Sequence, residues 1–240
     1  MNIFSVRNWW SVGLLRQCGI VFAIGLGLLL WDDSAVAMEA TAGDTPVSLP
    51  TVRSALSSTR IPFVENQGQF DPASIRFVAR TFCGAVYVTQ SGELIYWLPK
   101  YTAADIGSDP LSGSASIRQL AGSSLLRERF VGALSMNPRA GREAGGRVGY
   151  FKGDSSRWRA DLPMIEEVEL GEVYPGIELA LRAHGDNVEK VFTVAPGANP
   201  GRIQVELEGA DGIELAGDGS LRVLTALGAV RFSAPSAPKV

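Results

Sequence analysis

The chain has 240 residues, 46% of them hydrophobic and 20% charged, which places it in the globular range with material for one core. Its formal net charge is −3, with acidic and basic residues interspersed, so no single-sign surface is offered to nucleic acid or to an anionic membrane. Nucleic-acid binding is therefore disfavoured, and no motif calls for a cofactor.

Residues 1–37 form a separate segment. Arg7 and Arg16 precede an uncharged apolar run from Cys18 to Trp31, and the small residues Ala35-Val36-Ala37 follow. Charged, then apolar, then small is the order of a secretory signal peptide. The run is about 14 residues, short of the roughly 20 that a membrane-crossing helix needs. Ala35 and Ala37 fit the spacing that signal peptidase reads, which predicts cleavage after Ala37. The competing reading is an uncleaved anchor, with Trp9, Trp10 and Trp31 as interfacial aromatics, and then this segment is the chain's one membrane contact. On either reading the remainder is exported, to the periplasm, the cell surface or the medium. Cys18 stands at the start of the apolar run instead of after it, which argues against a lipid anchor; cleavage leaves Cys83 alone, and its surroundings predict a buried thiol with no activating base.

Residues 38–60 are rich in Ala, Thr, Ser, Pro and Gly and read as a flexible lead-in. Order is expected over 61–240. Ile75 to Phe82, Ala85 to Thr89 and Glu93 to Leu98 are rich in Val, Ile, Tyr, Phe and Trp and are broken by Cys83-Gly84 and Ser91-Gly92, the pattern of a strand meander. Thr102 to Ser124, with its glycines and serines, reads as a long surface loop, and Asn137 to Arg147 as a second; Leu126 and Phe130 mark a strand between them. Ile177 to Arg182 and Arg202 to Glu208 alternate apolar and polar residues, as antiparallel strands with one buried face do. Asp211-Gly212 and Asp218-Gly219 are expected to be hairpin turns flanking short strands at Ile213 to Leu215 and Leu221 to Leu224. No sustained helical period occurs after residue 60. The expected fold is mostly β, an antiparallel sandwich or barrel-like meander with few short helices, preceded by an N-terminal signal helix.

Candidate sites are few. Trp158, flanked by Arg157 and Arg159 and taken together with Tyr150, has the makings of a sugar- or anion-binding platform, but a large aromatic in a β domain more often anchors the core. Glu65, Asn66, Gln67, Gly68 and Gln69 put amides and a carboxylate in one short stretch, and the favoured use is to satisfy backbone groups around a turn. Tyr174-Pro175-Gly176 reads as a type II turn, with the Tyr174 hydroxyl free to tie the loop to a nearby carbonyl. Asp211 and Asp218 lack the alternating ligands of a calcium loop, and hairpin turns are preferred. His184, the chain's single histidine, reads as a solvated loop residue, so no metal site is expected. Glu166, Glu167 and Glu169 do not carry the separation of a glycosidase pair and read as a solvated face.

Five blocks carry a resemblance. They are Phe63-Val64-Glu65-Asn66-Gln67-Gly68-Gln69, Gly149 to Asp154 with Ser156-Arg157-Trp158-Arg159, Val173 to Leu179, Ala195 to Pro200, and Glu208-Gly209-Ala210-Asp211. In that order they resemble the N-terminal domain, of unknown function, of bacterial secreted and cell-surface proteins that carry SBBP-type β-propeller repeats downstream. The resemblance implies an exported β domain with no known catalytic residues and a repeat array as its partner on the same chain. Proteins of that type continue past the position of Val240, which leaves open a fragment, a truncated gene or a stand-alone copy. The function expected is a non-catalytic exported β module acting as a structural or interaction domain of a bacterial envelope or surface protein, its partners being downstream repeats or an envelope polymer. The alternative is a carbohydrate- or envelope-polymer-binding module that uses Trp158, Tyr150, Arg157 and Arg159; a hydrolase ranks third.

Overall fold

The structure, a computed structural model, describes residues 2–5, 14–15, 59–103, 118–185 and 187–236. Ala35, Ala37 and most of the expected signal segment lie outside them. So does most of 38–60.

In chain order the strands are β1 (Asn2–Ser5), β2 (Leu14–Leu15), β3 (Arg60–Ile61), β4 (Phe63–Glu65), β5 (Ile75–Thr81), β6 (Gly84–Thr89) and β7 (Leu94–Ala103). There follow β8 (Arg118–Phe130), β9 (Arg139–Ala140), β10 (Glu143–Tyr150), β11 (Arg159–Ile165), β12 (Glu167–Tyr174) and β13 (Ile177–His184). The last are β14 (Asn187–Val194), β15 (Gln204–Glu208), β16 (Gly212–Leu215), β17 (Leu221–Thr225) and β18 (Gly228–Phe232). Two single 3-10 turns, Ser155–Arg157 and Pro200–Arg202, are the only helical pieces among the described residues. None of these is long and apolar enough to cross a membrane.

All pairings are antiparallel, and they build three sheets. The large one runs β1-β15-β8-β7-β6-β5-β4-β11-β10, the second β14-β13-β12-β9 with β3 beside β13, and the third β16-β17-β18-β2. The meander expected from residue 75 onward is the β5-β6-β7 part of the large sheet, joined by turns at Phe82-Cys83 and Gln90 to Glu93.

Alternation decides what each sheet buries. On the inner face of the large sheet a registered row runs Ile165, Phe63, Ala79, Val86, Tyr96 and Leu126. On the second sheet Val168, Leu181 and Lys190 form the corresponding inward row. The third sheet adds Leu221, Val223, Val230 and Phe232, and the apolar side chains of all three rows join one buried cluster. Three sheets therefore share one core, which is how antiparallel sheets with one apolar face satisfy it.

The long loop expected over 102–124 is shorter than that. β7 continues to Ala103 and β8 begins at Arg118, pairing Ala103 with Arg118 and Lys100 with Gly122. Gly and Ser side chains add little to a strand, so the sequence hides what backbone pairing with β7 enforces. In the same way β9 and β10 occupy part of the stretch expected as a second loop. Asp211-Gly212 is no hairpin turn either: Gly212 opens β16 opposite Leu224, and the positive φ falls on Gly209 (+87°), where a Cβ would lie 2.3 Å from the Leu125 carbonyl oxygen. Asp218-Gly219 does form its turn, with Gly219 at +79°.

At the β12–β13 hairpin, Gly176 has φ +73°, as the third residue of a type II turn must, and its N–H donates to Glu172 Oε1 at 2.7 Å. Tyr174 Oη lies 3.1 Å from the carbonyl oxygens of both Val131 and Gln204 and accepts from Gln204 N–H at 3.3 Å. One hydroxyl thus ties the second sheet to the segments flanking β8 and β15. Tyr174→Phe is expected to lower the free energy of unfolding by about 1–2 kcal/mol with the strand content intact. Urea titration followed by circular dichroism measures this, and an unchanged midpoint would show that the hydroxyl is not a tie.

Candidate functional site

Two of the sequence blocks meet in space at one end of the large sheet. The β4–β5 loop folds around Asn66, whose Oδ1 accepts from Gly68 N–H (3.0 Å) and Phe70 N–H (3.1 Å) while Nδ2 donates to the carbonyls of Phe70 and Ile75, both at 3.0 Å. Gln69 closes the same turn, accepting from Gln67 N–H and donating to the Glu65 carbonyl, each at 2.7 Å. Gly68 sits at φ +102°, a conformation that L side chains rarely adopt. Glu65 pairs with Arg76 at 2.8 Å. The Asn66 and Gln69 side chains are directed at the backbone of their own turn.

The 153–159 loop is stapled to that turn. Arg159 Nε donates to the Gln67 carbonyl (2.7 Å), and its Nη1 donates to the carbonyls of Ser156 (2.9 Å) and Trp158 (2.8 Å). Arg157 forms an ion pair with Asp71. Asp154 caps the 3-10 turn by accepting from Ser156 N–H at 2.9 Å, which holds its carboxyl below the ordinary range. Tyr150 is half-buried edge-on against Phe70, ring centroids 4.9 Å apart. Neither arginine is left free to fork a ligand.

Trp158 is not the core anchor expected of it. It is 47% exposed, with its indole N–H on the Gly153 carbonyl (3.2 Å), and it meets Phe151, itself 62% exposed, edge to face at 6.0 Å. The loop leaves the sheet before Trp158 and returns after it, so no inward strand position exists for the ring. What remains accessible is an aromatic pair with its hydrogen-bonding group already engaged.

The most polar place in the interior carries no motif. Lys190 on β14 and Glu128 on β8 are each 1% exposed, and Nζ lies 2.8 Å from Oε2. Tyr96 on β7 donates to the same oxygen at 2.7 Å, and Nζ is 3.4 Å from its hydroxyl. The ammonium also stands 5.2 Å from the Phe232 ring centroid on β18. Burial, reinforced by the Glu128 carboxylate, pushes the Tyr96 hydroxyl well above the usual phenol range, so it stays a proton donor. A sequence signal exists: Val188-Glu189-Lys190-Val191-Phe192 and Leu126-Arg127-Glu128-Arg129-Phe130 each place a charge in the apolar phase of a strand.

A family model described as a domain of unknown function, DUF7948, matches residues 63–237. The chain belongs to this family. No curated protein and no solved structure matches it. The DUF7948 match covers both loop blocks and all three residues of the buried charge cluster.

Elsewhere several charged groups are paired with one another. Glu166 is only 11% exposed and lies between Arg60 and Arg142, Glu167 pairs with Arg182 (2.6 Å) and Glu169 with Arg139 (3.0 Å). Glu169 lies on the solvated face expected of it, whereas Glu166 is largely covered by its two arginines. The cleft beside Glu166 is lined by Arg60, Ile61, Pro62, Glu143 and Ala144. His184 ends β13 instead of sitting in a loop, because the β13–β14 ladder continues to His184 and Asn187; its Nε2 is 3.7 Å from Glu189. Asp218 accepts from the Ser220 hydroxyl and N–H, which holds its carboxyl low, and it pairs with Arg231. Cys83 is buried. No group of metal-ligating side chains occurs among the described residues.

Asn66→Ala removes four hydrogen bonds from one turn and is expected to cost about 2–3 kcal/mol of stability, since part of the loss is made good by water. The Trp158 fluorescence should respond as well, because Arg159 hangs from the same turn. Equal stability of variant and wild type in urea would show that the turn forms without the amide.

Proposed function

We propose that this DUF7948 domain is a non-catalytic, exported module that serves as a structural or interaction domain of a bacterial envelope or surface protein, packing against a further folded unit such as downstream repeats of the same polypeptide. The supporting observation is the contrast between two outer faces. On the second sheet the outer row Glu167, Arg182, Glu189 is charged and cross-paired, as a solvated face is. On the large sheet the outer face carries an apolar patch, in which Tyr87 and Ile95 are half-buried and Trp97 pairs with Leu125, which is 60% exposed; beyond it Arg127 and Arg129 pair with Glu208 and Glu206. Further out on the β7–β8 ribbon Tyr101 pairs with Leu120, both about half exposed. An exposed apolar patch within an otherwise charged face is a surface for a partner to cover. Repeats supply such a cover, and the resemblance in the five sequence blocks is what points to them.

With the patch around Leu125 uncovered, the isolated chain should bind an apolar reporter dye and self-associate at tens of micromolar, and Leu125→Glu should abolish both while leaving the thermal midpoint within about 2 °C, as befits an exposed position. Dye binding and mass by light scattering measure these. A monomeric wild type that binds no more dye than the variant would overturn the reading, as would turnover of glycoside, ester or peptide substrates by the purified chain.

The exposed Phe151–Trp158 pair favours a second reading, binding of a carbohydrate or envelope polymer, in which the rings stack on apolar sugar faces. Because Trp158 is outside the core, Trp158→Ala should fold normally. Under this reading it loses at least tenfold in glycan affinity by array and calorimetry; a wild type that retains no glycan removes the reading.

A further inference from the structure

The surroundings of the Lys190–Glu128 pair are poor in polar partners. Among the described residues the polar and aromatic groups around Nζ are Glu128, the Tyr96 hydroxyl and the rings of Tyr96 and Phe232. Glu128 Oε1 is buried and accepts no hydrogen bond from the described residues. Condensation needs an amine and a carboxylic acid, and passing one proton across the 2.8 Å from Nζ to Oε2 supplies both.

We propose that Lys190 and Glu128 are joined by an intramolecular isopeptide bond between Nζ and Cδ, a covalent staple from β14 in the second sheet to β8 in the large one. The neutral Nζ adds through its lone pair to Cδ. The tetrahedral centre then expels Oε2 as water, which carries away the acid proton and one proton from nitrogen. Oε1 becomes the amide oxygen, and nitrogen keeps one hydrogen. Tyr96 Oη, hydrogen-bonded to the departing oxygen and facing Nζ, is placed to donate to the first and recover a proton from the second. One water leaves, nothing is oxidised or reduced, and no co-reactant is needed. Two groups held in this way react as if at an effective concentration on the order of 10⁵ M or more, which offsets the poor intrinsic reactivity of a carboxylic acid. The bond lies wholly within the core, so it stands or falls separately from the outer-face reading.

The test is intact mass of the purified full chain under denaturing conditions, compared with the mass calculated for its observed N-terminus. The linked protein is lighter by one water, about 18 Da from the condensation written above, and Lys190→Met matches its own calculated mass. Amine labelling in guanidine gives a second readout that needs no variant: Lys100, Lys152 and Lys239 take the label and Lys190 does not, and a tryptic digest contains one branched peptide joining the segments around 128 and 190. Tyr96→Phe should accumulate the unlinked form; linkage at the wild-type rate would remove Tyr96 from the step. A folded wild type with its full calculated mass and a labelled Lys190 overturns the bond.

Discussion

One contact draws on all three sheets. Lys190 comes from the second sheet, Glu128 and Tyr96 from the large one, and the Phe232 ring that faces the ammonium from the third. Hydrophobic burial drives the sheets together, but it is nearly indifferent to sliding one against another. A charge pair is not. A register slip of one residue on β14 would turn Lys190 to solvent and bring Glu189 or Val191 inward, leaving Glu128 buried without a counter-charge, and such breakage costs several kcal/mol. The contact therefore specifies which residues of β14 and β8 face each other, in addition to whatever it contributes to stability.

That constraint bears on the outer surfaces too. With β8 fixed by Glu128 on its inner face, Leu125 and Arg127 must point outward, and β7 follows with Ile95 and Trp97 because the two strands pair residue by residue. The exposed Trp97–Leu125 patch is thus a consequence of the same register that buries the ion pair, and Arg127 beside it pairs with Glu208. On the second sheet the outward Glu167, Arg182 and Glu189 form one cross-strand charged row, next to Ala180 and Val191. Evenly distributed charge along the sequence hid this asymmetry, since sidedness emerges only when strands are placed in order.

Strands with strict alternation were legible in the sequence: β5, β6 and β13 lie close to where Val, Ile, Tyr and Leu at every second position put them. The early part of β8 and β10 were not, because Gly122 and Ser123 in the one, and Gly145 and Gly146 in the other, gain order from a partner strand and have no propensity to announce it. The Glu65–Gln69 turn is self-satisfying, as its composition implies, since amides next to a glycine have few other uses at that spacing. Trp158 escaped a sequence reading for a reason of the same kind as β8. Its burial depends on whether a strand or a loop carries it, and the 3-10 turn before it, capped by Asp154, decides that in favour of the loop. Lys190 and Glu128 stood in plain view at apolar-phase positions, but a single out-of-phase charge says only that something must neutralise it, and the neutralising partner is 62 residues away.

The loop cluster shows why a dense polar block in a sequence need not be a site. Asn66, Gln69, Arg159 and Asp154 together satisfy backbone donors and acceptors that two irregular segments would otherwise leave open at the end of a sheet. Each such bond removes a group that a ligand would have to engage. Among the exposed residues of this loop Phe151 and Trp158 stand beside Lys152, Asp154 and Arg157, and on the large sheet's outer face Leu125 stands exposed beside Trp97. A domain that turns Asn66, Gln69 and Arg159 onto its own backbone, while rings and leucines are left outward, has recognition by shape and apolar area open to it. Broad contact with another folded body uses that kind of surface fully, whereas a small polar substrate would use almost none of it.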